Sequence, residues 1–357
     1  MSSSTPIPTD LLVPTAKGLY CERGGFFIDP RRPVARAITT HAHTDHAPPG
    51  CEEYVCTPRT ADLIRSRYGP EQNCLTLEWG TQHQFGEVMV SLHPAGHIMG
   101  SAQIRIEALD GGPVWVVTGD CKDDDDPTTE AFESVPCDVL IIESTFGLPI
   151  YHWPEPETVM SQINDWWATN AAQERTSVVM TYAVGKAQRL LAGLDPNIGP
   201  IGIHGALVGP TEVYRAAGIE LPETIRAGRD TATELQGRGI IVCPPSAAGT
   251  PWIRRFSGKD GMETAFASGW MAVRGRQRWR GVDRGFILSD HADWNGLLNI
   301  VRNSKAKRVG VTHGSTEAFS RYLQEFEGLE SFVLGDQCAT SDCLLYTSDA
   351  ADEQQRV

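Results

Sequence analysis

Residues 40–46 read Thr40-His41-Ala42-His43-Thr44-Asp45-His46, directly behind the apolar run Val34-Ala35-Arg36-Ala37-Ile38. Three imidazoles and a carboxylate crowded into so short a stretch are too polar to bury unless a partner offsets their desolvation. A mixture of imidazole and carboxylate suits zinc or a similar transition ion. Strand-like alternation would set His41 and His43 on one side, and the turn behind them would offer Asp45 and His46 to a neighbouring point. One segment can then serve two ions.

Further ligands stand where other apolar runs stop. Pro94-Ala95-Gly96-His97 follows the run from Glu87, Val116-Val117-Thr118-Gly119-Asp120 ends in a carboxylate able to bridge two ions, and Gly310-Val311-Thr312-His313-Gly314 is a third case. Singly, each is an ordinary strand-end residue; beside HxHxDH they make a constellation. His83, His93, His152 and His204 fit no ligand motif and are read as structural or surface residues.

The surrounding pattern is α/β. From about residue 15 to 145, Val- and Ile-rich runs predict strands closed by Gly, Pro, Asp and His, with Arg59–Gly69 as a helix. From about 150 to 285, strand and helix periods alternate: a helix over Pro156–Glu174, a strand over Ser177–Ala183, a helix over Gly185–Leu194, a strand over Pro200–Val208, a helix over Pro210–Gly218 and a strand over Gly239–Pro245. Such alternation predicts a mostly parallel sheet. Strand, His-bearing loop and helix recur after 285. The Ser/Thr/Pro-rich residues 1–14 read as a flexible arm, and residues 338–357 continue no pattern and are expected to be a non-native tail.

The chain has 357 residues, with 41% hydrophobic and 21% charged, enough for a sizeable core and about two domains. No apolar stretch reaches the ~18 residues of a membrane helix, and the N-terminus lacks the basic and apolar regions of a secretory signal. A cytoplasmic protein with no membrane partner is expected. The nine cysteines are an odd number with no CxxC pair, and read as reduced packing residues. Net charge is −14, which alone argues against nucleic acid, yet residues 253–284 carry eight Lys/Arg against three acids. Within that strip Arg274, Arg276, Arg278 and Arg280 recur at every second position, so a strand would put four guanidiniums on one face, spaced to follow a polyphosphate chain. A solvated edge strand is the alternative. Lys186 and Arg189 follow Gly185 at a predicted helix start, where an anion could sit, or which is simply a helix start.

HxHxDH, a later His, Gly-Asp and a final His together resemble the metallo-β-lactamase fold. Ile141-Ile142-Glu143-Ser144-Thr145-Phe146-Gly147 is similar to motif A of the β-CASP nucleases, Leu288-Ser289-Asp290-His291-Ala292-Asp293 to motif B and Thr312-His313-Gly314 to motif C. Tyr182–Arg189 resembles the segment that opens the β-CASP insert. The phrases ESTFGLPIYHWP and DRGFILSDHADW are most similar to the bacterial DNA ligase-associated exonucleases of that family, and the likeness covers about residues 15–335.

The resemblance implies an αββα metallo-β-lactamase sandwich over 15–155 and 285–337, interrupted by an α/β β-CASP insert over 156–284, with the site in the cleft between them. By motif, one ion would take His41, His43, His97 and Asp120. The other would take Asp45, His46, bridging Asp120 and His313. The implied cofactor is two Zn2+, with Mn2+ as an alternative, and a hydroxide between the ions would attack phosphorus in line. His291, Glu143 and Asp45 would be the catalytic residues: His291 as general acid, Glu143 holding its ring. Asp290 and Asp293 either tune His291 or serve as caps. The implied activity is a metal-dependent DNA exonuclease acting on single-stranded ends in repair, with an ATP-dependent DNA ligase and a helicase as partners. The alternative is a β-CASP ribonuclease or RNA 3'-end processing factor, toward which His313 in motif C points. A small-molecule hydrolase would give no reason for the insert or motifs A and B, and an inactive scaffold would be expected to have lost ligands.

Overall fold

Runs of two to seven residues form strands, and alternate side chains along the longer ones enter different cores. In the computed structural model, which describes residues 10–273 and 281–334, the strands fall into three sheets. The first runs in spatial order Val13–Thr15, Gly18–Cys21, Phe26–Ile28, Arg36–Ile38, Glu53–Cys56, Cys74–Thr76. The second runs Glu330–Val333, Arg308–Gly314, Val139–Ser144, Trp115–Val117, Ala102–Ala108, Val88–Pro94, His83–Phe85.

Alternation decides what each face of the second sheet buries. Trp115, Val117, Val139 and Ile141 join Phe26, Ile28, Ile38 and Val55 of the first sheet in one cluster. Val116, Leu140 and Ile142 face the other way, onto Trp294, Leu297 and Ile300 of the helix Trp294–Ser304 and Phe319 of the helix Thr316–Glu325. Behind the first sheet, Ala37, Tyr54 and Cys56 pack on Leu63 and Ile64 of the helix Pro58–Tyr68.

The third sheet, Ile225–Arg226, Ile201–Ile203, Ile240–Cys243, Thr176–Met180, Met262–Ala267, Arg284–Phe286, is parallel throughout. It is filled on one side by Ile163, Trp167, Leu190 and Leu207 and on the other by Phe146, Tyr151 and Trp270. Its last strand runs through residue 286, so a division at 284/285 cuts that strand.

Two local readings change. His204 does not lie in a strand: the strand stops at Ile203, and His204 caps the helix Gly205–Ala216, its Nδ1 accepting the Ala206 N–H at 3.1 Å. That helix continues through Pro210, whose missing N–H is offset by burying Leu207, Pro210 and Tyr214. Residues 41–46 are turns rather than strand, with the His43 carbonyl accepting from the N–H groups of His46 and Ala47 at 3.1 and 2.8 Å. The close approach of His41 and His43 therefore comes from a folded loop, not from alternation. The described cysteines are all free thiols, and Cys338 and Cys343 lie outside the described residues.

Candidate metal centre

The candidate ligands sit where strands end. In the second sheet, Val139–Ser144 is parallel to Trp115–Val117 and to Arg308–Gly314, and Val88–Pro94 runs the same way across Ala102–Ala108. Their carboxyl ends carry Glu143, Asp120, His313 and His97 to one edge. From the first sheet, Arg36–Ile38 delivers His41 to His46 to the same point, and Arg284–Phe286 of the third leads to His291. Two turns need glycine to do this. Gly96, at φ +72, has no room for a side chain because a Cβ would lie 2.1 Å from the Lys122 carbonyl oxygen. Gly119, at φ +58, lies against Thr40, 2.6 Å from where its Cβ would be.

His41, His43, His97 and Asp120 are all buried, and each offers a ligand atom within 4.8 Å of the others. His41 Nε2 is 3.0 Å and His97 Nε2 3.2 Å from His43 Nδ1. Asp120 divides its oxygens: Oδ2 is 3.6 Å from His41 Nε2 and 3.7 Å from His97 Nε2, while Oδ1 is 3.5 Å from His46 Nε2. His46 Nε2 is also 3.6 Å from Asp45 Oδ2, and the His46 and His313 rings lie 5.5 Å apart between centroids. These distances bring His41, His43, His97 and Asp120 into one candidate cation site, with Asp45, His46 and His313 beside it and not drawn into a second group of that tightness.

The donor set fits a cation. Both Asp120 oxygens are buried without a hydrogen bond, as is His46 Nε2. A buried carboxylate without a partner is costly, and an ion between these groups would remove the cost. Burial pushes the Asp120 carboxyl up to about 8 against the pull of His46 and His291. Burial and then the neighbouring imidazoles drive His41 well below its ordinary value, and burial with His291 takes His97 down to about 3. Burial also works against charge on His46, but Asp120, Asp45 and Asp29 outweigh it and hold it well above its ordinary value.

The remaining ring nitrogens are taken. His46 Nδ1 lies 2.8 Å from Asp29 Oδ2, His43 Nε2 3.1 Å from the Val184 carbonyl and His97 Nδ1 2.8 Å from the Asp290 carbonyl. Such partners fix which nitrogen faces the site. Asp29 escaped the sequence reading because Asp29-Pro30 reads as a turn; its one signal was a carboxylate at the end of an apolar run.

Beside this cluster, Glu143 Oε1 is 2.8 Å from His291 Nδ1, and His291 Nε2 is 4.0 Å from Asp120 Oδ2. Glu143 also accepts from the Cys121 N–H at 2.9 Å and the Thr145 N–H at 3.2 Å. Burial would raise its carboxyl, but His291 and these bonds bring it down to about 2. Trp153 Nε1 donates to the His291 carbonyl at 2.8 Å, and Phe146 stacks edge-on behind the ring at 5.9 Å between centroids. Asp293 is a cap, accepting from the Gly296 N–H at 2.9 Å. Asp290 is different, being buried and ion-paired.

Lys186 and Arg189, read as contacts for a nucleic-acid backbone, are buried and held by internal carboxylates. Lys186 Nζ is 2.9 Å from Asp290 Oδ1 and Arg189 Nε 3.0 Å from Asp126 Oδ2, with side-chain exposures of 1% and 7%. Sequence shows charge but not burial, and in this fold their helix start faces the motif B loop instead of solvent. Arg274, Arg276, Arg278 and Arg280 lie outside the described residues. His93 pairs with Glu133, His204 packs on Trp252 and His83 on Phe85, so these are structural as expected, while His152 is near the surface.

No protein-family model matches the chain. Over 320 residues, 89% of its length, it is 33% identical to a protein named "Probable DNA ligase" from Opitutus terrae, covering 30% of that protein. It is 29% identical over 215 residues to the RNase J-like protein of Methanocaldococcus jannaschii, 51% of this chain and 50% of that one. The chain thus spans half or less of the length of these curated relatives. A solved structure of an Enterococcus faecalis protein of unknown function shares the fold, with a TM-score of 0.53 at 12% identity over 79% of this chain and 76% of that one.

Proposed function

Because the chain belongs to the metallo-β-lactamase/β-CASP nucleases, we propose that it is a metal-dependent DNA exonuclease that hydrolyses phosphodiester bonds at single-stranded ends, working in repair beside a DNA ligase. One observation carries the reading: a buried aspartate, Asp120, with both oxygens unbonded among three imidazoles and flanked by the His291–Glu143 pair. Asp120 with its imidazoles asks for cations, and His291 adds a proton donor that a purely structural metal site would not need. The two sheets with helices behind each are taken as the αββα sandwich, and the third sheet with its helices as the insert.

His41, His43, His97 and Asp120 would hold one ion, and Asp45, His46, Asp120 and His313 the other. Two zinc or manganese ions there would lower the pKa of a water and neutralise charge growing on the phosphate oxygens. The protein does the rest. As the water oxygen adds to phosphorus and the leaving oxygen departs, His291 Nε2 gives that oxygen its proton. Glu143, on the far nitrogen, keeps the ring oriented and its charge compensated. Asp45, whose side chain is 21% exposed, would take the proton released by the attacking water.

The ligase-named relative matches nearly the whole chain within a longer polypeptide, which supports DNA and a ligase partner. The RNase J-like relative favours a second reading, an RNA-processing nuclease. Single-stranded DNA and RNA of one sequence, labelled at either end, separate the two. Metal-dependent shortening of the DNA from one end, absent with Asp45→Asn, is the expected result. Preferential cutting of RNA would move the protein to the second reading, and no cutting of either by metal-loaded protein would end both.

A further inference from the structure

Buried cations set the motif B loop from the insert side. Lys186 begins the helix Lys186–Ala192, and its ammonium reaches Asp290 Oδ1 at 2.9 Å, with the two side chains 1% and 2% exposed. The backbone carbonyl of that same Asp290 receives His97 Nδ1 at 2.8 Å, which turns His97 Nε2 toward Asp120. Two residues earlier in the helix turn, the Val184 carbonyl receives His43 Nε2 at 3.1 Å. Arg189, one turn on, donates to the Ser289 carbonyl and pairs with Asp126. The turn itself is fixed by Gly185, at φ +84, where a Cβ would lie 2.1 Å from the Ile98 side chain.

We propose that Lys186 is a positioning residue for the metal centre: by clamping Asp290 it fixes the carbonyl that orients His97, a role that rests on the metal-centre reading above. At 1% exposure the ammonium is closed to solvent, which argues against a contact for the nucleic-acid backbone. Arg189 braces the preceding residue of the same loop. The pair ties ion binding to the seating of the helix Lys186–Ala192.

The test uses the full chain with Co2+ as a spectroscopic probe. Lys186→Met should weaken binding of the first ion by about 10- to 100-fold, the usual effect of losing an outer partner, and change the visible ligand-field band. Lys186→Arg should restore affinity to within about threefold, since a guanidinium can still meet the carboxylate. In hydrolysis Lys186→Met should lower kcat with KM for the strand unchanged. The metal-free melting temperature detects misfolding, and Lys186→Met with Asp290→Asn removes the unpaired buried charge. If that folded double variant binds Co2+ with the parent's band and affinity, the proposal fails. A raised, salt-sensitive KM with an unchanged cobalt spectrum would instead make Lys186 a backbone contact, which also overturns it. Failure of the parent chain to bind Co2+ would end the metal-centre reading and this role together, whereas a parent-like Lys186→Met ends this role alone.

Discussion

At the scale of single residues, the division of labour between two buried acids follows from their neighbours. Asp120 has imidazole nitrogens within 3.5–4.0 Å and no hydrogen bond, so it is set to meet cations. Glu143 has three donors, and its remaining task is to hold His291. If His291 protonates the leaving oxygen, its loss should matter only where that oxygen needs a proton. His291→Ala should lower kcat on DNA by about 10²- to 10⁴-fold, yet change little with an ester whose leaving group is p-nitrophenolate. An equal loss on both substrates would mean that His291 acts on the phosphate or the ions instead. That His41, His43, His97 and Asp120 come together was legible in the sequence because each lies behind an apolar run, where strand ends can bring side chains to one point. Asp29 was not, and no sequence pattern can display the Val184 and Asp290 carbonyls that orient His43 and His97, because every residue has one.

At the scale of elements, the site depends on loops with no tolerance for extra atoms. Gly96 turns the chain from the strand Val88–Pro94 to His97, with the Lys122 carbonyl where a Cβ would be. Gly96→Ala therefore combines a left-handed conformation, worth about 1–2 kcal/mol, with a backbone clash that must shift one loop. The expected outcome is a lower thermal midpoint together with weaker zinc binding by calorimetry; unchanged zinc affinity would show that the loop yields without moving His97. Most elements were readable from period and composition, since Val- and Ile-rich runs left few choices. The first turn of the helix Gly205–Ala216 was not: residues 205–208 read as the end of a strand and Pro210 as the helix start, a boundary that the burial of Leu207 overrode. Lys186 and Arg189 were misread for a related reason: a helix start marked by cations looks the same in sequence whether it meets solvent or a buried loop.

At the scale of the whole molecule, stability and metal loading are linked through protons. In metal-free protein burial pushes the Asp120 carboxyl up to about 8 and its acidic neighbours hold His46 well above its ordinary value, so between about pH 6.5 and 8 these two groups hold more protons in the folded chain than in the unfolded one, while the lowered His41 and His97 work the other way near pH 6.5. The stability that Asp120 and His46 contribute to the metal-free protein is then lost as pH rises through that window. Zinc needs Asp120 ionised and His46 neutral, so its binding improves over the same range. The rise in melting temperature on adding zinc should therefore be larger at pH 8 than at pH 6.5; at zinc 100-fold above Kd the stabilisation is about 2.7 kcal/mol. A gain that shrinks with pH would contradict the assignment of these groups as ligands. No helix among the described residues is long and apolar enough to cross a membrane, and nothing in this linkage involves one.

The carbonyls that orient His43 and His97 come from Val184 and Asp290, long after the HxHxDH segment in the chain. A ribosome therefore exposes most of the ligands well before their orienting groups exist. A nascent chain can collect histidines early but cannot aim them, and His291 arrives only with the same late loop. On the proposed reading, cleavage would therefore wait for the loop that carries Asp290 and His291, whatever the early segment has already gathered.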